Sequence, residues 1–573
     1  MRRTDILAVA RSHYPFLILA AIAAVLIFTN LGSDYLWADE GDTAVLAHNI
    51  VKFGVPRAWD GKTFMDSDFG ERLNSHLVMV STPWAQYYVA AASFALVGES
   101  AFSARFPFAL AGWLTMVFAY RLLWTATGDR RAALCGGILI ISSVQFLLYC
   151  RQCRYYALAM LLTCLFIDSF LKMRSLGRTV VFGIVAVLLF HTHPIGIVPV
   201  FVLGGLTLVD SNFSSQRRWY WLALPVILAL TTPWFFLART GYVENGVMLP
   251  FSVHSFFLRL IQYLIECASI TPLIGIVLLF SFGLLSQPVA QRFQRGERAL
   301  LVAIVAVALS LLLGAVATER GAALWLGGVR YTSAMIPLLA IVAGLLIAKV
   351  SRGSASILVL LLGVLTLTKF GEITPWTLWA DKRPDWTDKS SDDFEDKIVA
   401  VHVPTNTIDA FLPEEDLLYV RDLFHKNVGT LGRSVEFLRQ HAGPDDLVIT
   451  NYESEPLYFY TALPQGMKIM RQDSIYDAAR RYGLPEYIFG VDHARWVVWR
   501  FLWEDYLGIP WPEVANHLAA DGGQIREVAE LKETRWENRE HIHFHRFSDG
   551  IYLFSQESNF VPAKIFRVDW PTQ

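Results

Sequence analysis

The feature that leaves this 573-residue chain least freedom is a train of apolar runs, each of spanning or near-spanning length, separated by short polar turns. After the basic start "MRRTDILAVARSHYPFLILAAIAAVLIFTNL", such runs recur at roughly 104–124, 131–149, 155–172, 178–190, 195–209, 219–236, 270–286, 299–318, 332–349 and 355–369. A helix of about 20 apolar residues crosses the hydrocarbon core, so the pattern predicts about eleven transmembrane helices, the first an uncleaved one. Hydrophobic residues at 54%, charged residues at 17% and a mean hydropathy of +0.39 exclude an ordinary soluble protein. A net charge of −2, with basic clusters confined to turns, gives no footprint for nucleic acid.

The basic turns also set the orientation. Placing the N-terminus in the cytoplasm puts Arg2, Arg3 and Arg11, then Arg121, Arg130 and Arg131, Lys172, Arg174 and Arg178, Arg217 and Arg218, Arg292, Arg295 and Arg298, and Lys349 and Arg352 on the inner side. That assignment requires the stretch at about 80–97, "VSTPWAQYYVAAASFALVG", to lie at the outer surface as a helix and not to cross. A second outer amphipathic helix is predicted near 252–268, where Phe257, Leu260, Ile261, Leu264 and Ile265 recur at helical spacing. Beyond residue 370 the composition turns polar, and runs such as "DDLVITNY" and "ARWVVWRFL" alternate with the helical "GRSVEFLRQH". The fold class expected is therefore a polytopic α-helical membrane protein with a C-terminal soluble α/β domain. Residues 1–369 form the membrane domain with a first outer loop over 33–103, and residues 370–573 the extracytoplasmic domain.

Charge converges on the outer side. The first outer loop opens "LWADEGDTAVLAHNI" and carries Asp34, Asp39, Glu40, Asp42, Asp60, Asp66, Asp68 and Glu71, too dense for a mere connector. Arg151 and Arg154 stand at an outer helix end in "YCRQCRYYALAM", where arginine snorkels or binds an anion. "LLFHTHPIG" brings His191 and His193 to an outer edge, and "TERGAALWLGGVRYTSAMIPLLA" adds Glu319, Arg320, Arg330 and Tyr331. A cavity that binds a phosphate and activates a hydroxyl needs this combination of arginine and carboxylate. Asp42 is expected to cap or orient the helix that follows. Metal readings are weaker: "DSD" at 66–68 is too short a pattern, His541, His543 and His545 read as a solvated strand face, and the five cysteines as packing residues.

Taken in order, the Asp-Glu opening of the outer loop, "TPWAQYYV", "GESAFSARFPFALAG", "RYYALAM", "HTHPIG" and "RYTSAMIPLLA" resemble the C-type glycosyltransferase superfamily. The branch they are most similar to holds the lipid A aminoarabinose transferases and protein O-mannosyltransferases. That resemblance implies a polyprenyl-phosphate sugar as donor and a lipid, glycan or protein acceptor outside the cytoplasm. It further implies Asp39 as general base with Glu40 in support, in a multi-pass protein of the bacterial inner membrane. Arg330, Arg154 and Arg151 with Tyr331 are then the donor-phosphate candidates, and Tyr155, His191, His193 and Arg320 line the substrate. Some relatives carry a lysine before the proline motif as a phosphate ligand; here Thr82 precedes Pro83. No metal ligand is assigned and no cofactor is implied, although a divalent cation is compatible with the pattern. The rival reading is a transporter or flippase of a lipid-linked sugar, which would more often show paired repeats and broken helices at the membrane centre.

Overall fold

The computed structural model describes residues 3–65, 72–242, 253–285, 291, 293–318, 328–372, 419–421, 423–424, 428–466, 480–491, 493–501, 510–531 and 563–571. Fifteen helices fill the described part up to residue 372. They are α1 (Arg3–Phe28), α2 (Ala38–Phe53), α3 (Ala85–Val97), α4 (Ala101–Thr127), α5 (Arg130–Ile141), α6 (Val144–Cys150), α7 (Tyr156–Leu171), α8 (Leu176–Thr192), α9 (Ile197–Val209) and α10 (Arg217–Tyr242). Then come α11 (Val253–Ile270), α12 (Leu273–Leu285), α13 (Arg295–Thr318), α14 (Met335–Val350) and α15 (Ala355–Leu367). The helix ends follow local chemistry. Ser100 caps α4 by accepting from the Ser103 amide, Asp129 caps α5 through the Arg131 amide, and Gly54 and Gly128 close α2 and α4 in the left-handed conformation.

Among the described residues three helices, within α4, α10 and α13, are long and apolar enough to cross a membrane, and eight further apolar helices are shorter. The run at 131–149 differs from the single span read in the sequence. It breaks into α5 and α6, which meet at 70°. The cause is the pair Ser142–Ser143: Ser143 leaves the helix and its hydroxyl accepts from the Phe146 amide at 3.2 Å, restarting the helix as α6. The surface helix expected at 80–97 is α3, only 13 residues long, and the one expected at 252–268 is α11. Small residues let α5 and α14 touch backbone to backbone: a Cβ on Gly344 would stand 2.8 Å from the Ala132 carbonyl oxygen.

The remainder holds a four-stranded sheet with helices α16 (Gly429–His441), α17 (Ser454–Thr461) and α18 (Trp511–Ala520). The strands β1 (Val448–Thr450), β2 (Trp496–Arg500), β3 (Gln524–Leu531) and β4 (Ala563–Asp569) lie in the order β1-β2-β4-β3. β1 and β2 are parallel, with Val448 opposite Trp496, while β4 runs antiparallel to both β2 and β3. Each sheet face has its own apolar cluster, as strand alternation requires. Val448, Trp496, Val498 and Ile565 fill one face, and Ile449, Val497, Trp499 and Phe566 the other. The aromatic run around Trp496 and Trp499 is thus core, and "LVIT", "WVVWR" and "GRSVEFLRQH" adopt the structures their patterns suggest.

The sheet-bearing part sits on the first loop. The Tyr458 hydroxyl donates to the Asp60 carboxylate, Tyr487 donates to the Lys62 carbonyl at 2.6 Å, and the Gln465 amide donates to Thr63 Oγ1 at 3.1 Å. Closest of all, Gly41 on α2 abuts Pro456 on α17, and a Cβ at Gly41 would overlap the proline ring. Overpacking of this kind costs about 1–3 kcal/mol, so Gly41→Val is expected to lower thermal stability and to expose the 454–461 segment to limited proteolysis.

Candidate active site

The first turn of helix α2 carries Asp39 and Glu40, which their adjacent positions point in different directions. Glu40 turns inward and is fully buried. Its carboxylate takes a two-pronged contact from Arg105 of α4, Nε to Oε1 at 2.8 Å and Nη2 to Oε2 at 2.6 Å, and accepts from the Cys153 amide at 2.7 Å. The Trp37 amide reaches the same carboxylate at 3.4 Å, closing the start of α2. Arg105 spends its remaining donors on the carbonyls of Leu31, Asp34 and Tyr35, at 3.2, 2.9 and 2.9 Å. One buried guanidinium thereby fixes the whole approach to α2.

Asp39 faces a different partner set. Its Oδ2 lies 3.1 Å from Arg154 Nη2 and 3.3 Å from Arg330 Nη1. Arg154 also donates to the Asp39 carbonyl at 3.2 Å and to Thr43 Oγ1 at 3.3 Å. Burial is the largest influence on Arg154 and opposes its charge, but Asp39 together with Tyr156 and Tyr87 more than offsets it, and the guanidinium pKa stays above its ordinary value. Arg330 donates to the Tyr331 hydroxyl at 3.4 Å. The ring of Tyr331 continues into a column: it stacks on His193 at 6.2 Å, and His193 stacks on Tyr155 at 4.7 Å. The hydroxyls of Tyr155 and Tyr156 and the Nε of Arg154 are buried here without a hydrogen-bond partner, although the Tyr155 amide is held by Gln86 Oε1 at 3.1 Å. Buried groups left open beside a paired carboxylate and two arginines are what a polar ligand would complete.

Of the residues singled out in the sequence, Asp39, Arg154, Arg330, Tyr331, Tyr155 and His193 meet in this one place. Besides Glu40, which turns inward, Arg151 and His191 do not join them. Arg151 turns to the end of α1, where Nη1 donates to the Ile27 and Thr29 carbonyls at 2.8 and 2.7 Å, as a cation at a helix C-terminus does. His191 points toward α10 and donates from Nε2 to the Leu230 carbonyl at 3.2 Å. Arg320 lies outside the described residues, as do Glu319, Asp66, Asp68, Glu71 and the histidines at 541, 543 and 545. Asp42 is no helix cap: it lies within α2, whose N-cap is Trp37. Among the described residues no cluster of three or more His, Cys, Asp or Glu side chains is placed to hold a metal ion.

The sequence reading missed Arg105, Gln86 and Tyr156. Arg105 had a usable signal, since an arginine inside an apolar run of spanning length is expensive unless it has an acid to meet.

The residues 81–237 match the sequence model of the family described as dolichyl-phosphate-mannose-protein mannosyltransferase. No curated protein matches the chain in sequence. In structure the chain is similar to ArnT from Cupriavidus metallidurans bound to undecaprenyl phosphate, at 17% identity and a TM-score of 0.56 over 91% of this chain and 97% of that one. The apo state of the same protein gives 18% identity and a TM-score of 0.55, over 91% and 96%. The chain shares the fold of ArnT over nine-tenths of its length. In this fold the loop between α1 and α4 and the turns before α7 and α14 supply the charged face described above.

Two predictions separate the carboxylates. Glu40→Gln leaves Arg105 buried without its counter-charge, so the substrate-free protein is expected to lose about 3–5 kcal/mol of stability in thermal unfolding, an effect that a purely chemical role would not produce. Asp42 titrates well above the ordinary carboxylate range, first through desolvation and then through Glu455 and Asp39, against the pull of Arg154 and Arg72. A folded pKa above the unfolded one gives stability that is complete in acid and lost as pH rises through the folded value. Asp42→Asn is therefore expected to match the parent in acid and to melt higher than the parent at neutral pH and above.

Proposed function

We propose that the chain is a glycosyltransferase that moves a sugar from a polyprenyl-phosphate donor to a hydroxyl of an acceptor on the extracytoplasmic face, with inversion. The observation that carries this reading is the Asp39 carboxylate shared by Arg154 and Arg330 through a single oxygen. The acceptor hydroxyl attacks the anomeric carbon, Asp39 takes its proton, and the bond from that carbon to the phosphate oxygen breaks with the electron pair leaving on polyprenyl phosphate. The leaving group already carries negative charge, so it needs cations more than it needs a general acid.

The two arginines give the reaction an order. While they hold Asp39, its lone pairs are committed and it is a poor base. A donor phosphate competes for the same guanidinium groups and binds them bidentately, which hands the carboxylate back to the acceptor. Tyr155, Tyr156 and Tyr331 then border the donor, with His193 holding two of these rings in register. Support for the donor class comes from the similar fold of ArnT bound to undecaprenyl phosphate.

In the same reading, residues 1–369 form the membrane domain with about eleven spans, and residues 370–573 an extracytoplasmic domain that rests on the outer loop. The protein resides in an inner membrane, and its acceptor is a glycolipid, a polysaccharide or a protein. Arg151 keeps only its role at the end of α1.

The test is transfer of labelled sugar from a panel of synthetic polyprenyl-phosphate sugars by the purified protein. Asp39→Asn is expected to slow turnover by about 10²- to 10⁴-fold, the usual share of a positioned base, while donor binding is retained or tightened. Arg330→Ala is expected to lose donor binding with thermal stability kept. Undiminished turnover in the first variant, or undiminished binding in the second, overturns the assignment.

A further inference from the structure

The end of the bundle opposite the charged face carries a second basic feature. Arg154 and Tyr155 precede α7 and His193 follows α8, so the turn over 172–175 that joins these two helices lies at their far end. There it meets the start of α10. The buried Gln216 donates from Nε2 to the Leu171 carbonyl at 3.1 Å and accepts from the Ser215 hydroxyl at 2.7 Å, which ties the two turns together. Between them is an open cleft of about 410 Å³ lined by Arg174, Ser214, Ser215, Arg217, Arg218 and Trp219, with no acid among them. Two acids of the adjoining turns are committed elsewhere. Asp168 holds Lys172 at 2.5 Å, and Asp210 accepts from the Asn212 amide at 2.8 Å.

The three arginines are not equivalent. Arg217 turns back to the end of α9 and donates to the Thr207 and Leu208 carbonyls at 2.8 and 3.2 Å, a capping role. Arg218 lies over the Trp219 ring at 4.6 Å, and Arg174 has no hydrogen-bond or ion-pair partner among the described residues. Both are exposed, so their donors are open to an anion. From the rim of the cleft two apolar stripes run back toward the charged face. Leu176, Val180, Ile184 and Leu188 are exposed on α8, and Leu222, Val226 and Leu230 on α10, each series repeating every four residues and so keeping to one side of its helix. The two helices run the same way, because the end of α8 at His191 reaches the Leu230 carbonyl. We infer that the cleft binds an anionic phospholipid, its phosphodiester between Arg174 and Arg218 and its acyl chains along the two stripes. A soluble phosphate would leave the stripes unused, and a zwitterionic lipid would bring an ammonium group against three guanidinium groups. The inference does not rest on the glycosyl-transfer reading, because it concerns lipid binding at the other end of the bundle.

The experiment uses the full-length protein in phosphatidylcholine nanodiscs with a trace of photoreactive phosphatidylglycerol, or of photoreactive phosphatidylcholine with the same chains. The phosphatidylglycerol probe is expected to label peptides containing Arg174 or Arg218 in preference to the other probe. Unlabelled phosphatidylglycerol is expected to displace it, and glycerol phosphate in the medium is not. Arg174→Gln combined with Arg218→Gln is expected to weaken that labelling about thirtyfold, each arginine near an anionic headgroup counting for about a factor of five. Arg121→Gln combined with Arg130→Gln removes the same charge from another turn at this end and is expected to change it less than twofold. All four side chains are exposed, so without probe both double variants are expected to melt as the parent does, which separates loss of binding from loss of fold. Equal labelling by the two probes, displacement by glycerol phosphate, or equal loss in the two double variants would each overturn the site. Sugar transfer is read in a separate assay, so either proposal can fail alone.

Discussion

The geometry of the charged face depends on the contact between Arg105 and Glu40. A guanidinium inside an apolar helix is tolerable only when its donors are met, and Arg105 meets five acceptors: both oxygens of Glu40 and the carbonyls of Leu31, Asp34 and Tyr35. That set ties the chain leaving α1 to the side of α4 and leaves α2 one orientation in which to start. Successive residues on a helix project about 100° apart. With Glu40 locked against α4, Asp39 must project elsewhere, and it does so toward Arg154 and Arg330. Glu40 thus sets the direction in which Asp39 points.

The arginines that Asp39 meets come from distant parts of the chain, one from the turn before α7 and one from the turn before α14. Their convergence is reinforced by the stack of Tyr155, His193 and Tyr331, which links those two turns through the end of α8. The sheet-bearing part contributes from outside. Its helix α17 lies against Gly41 of α2, and its tyrosines hydrogen-bond the loop at Asp60 and Lys62. The loop bearing Asp39 is therefore held between the helical bundle and the sheet, and neither alone sets its position.

Much of this was legible in the residues. Apolar runs of spanning length located α1, α4, α7, α10 and α13, because burial in an apolar surrounding acts on composition residue by residue. The continuous run of β-branched and aromatic residues in "WVVWR" located β2 for the same reason. Asp39, Arg154, Arg330 and the stacking rings were found because charge at the polar end of an apolar run is costly without purpose. What stayed hidden depends on pairing across the fold. Arg105 and Glu40 are 65 positions apart, and nothing local marks them as partners. Arg151 and Arg154 look alike in "CRQCRYY", yet one meets α1 carbonyls and the other Asp39, a choice made by tertiary direction. The break at Ser142–Ser143 escaped because serine pairs are compatible with helix until a side chain takes over the capping bond.

That break also shows how a single span can be redirected. α6 delivers Arg151 just past its end, followed by Arg154 three residues on. The 70° turn aims α6 away from the axis of α5, so the segment presents guanidinium groups beyond its far end. A straight helix through 131–149 would carry Arg154 onward along the α5 axis, away from the start of α2. The hydroxyl of Ser143, which accepts the amide freed by the bend, is what permits the turn inside an apolar bundle. Placement of Arg154 thus rests on one capped break as much as on the charges themselves.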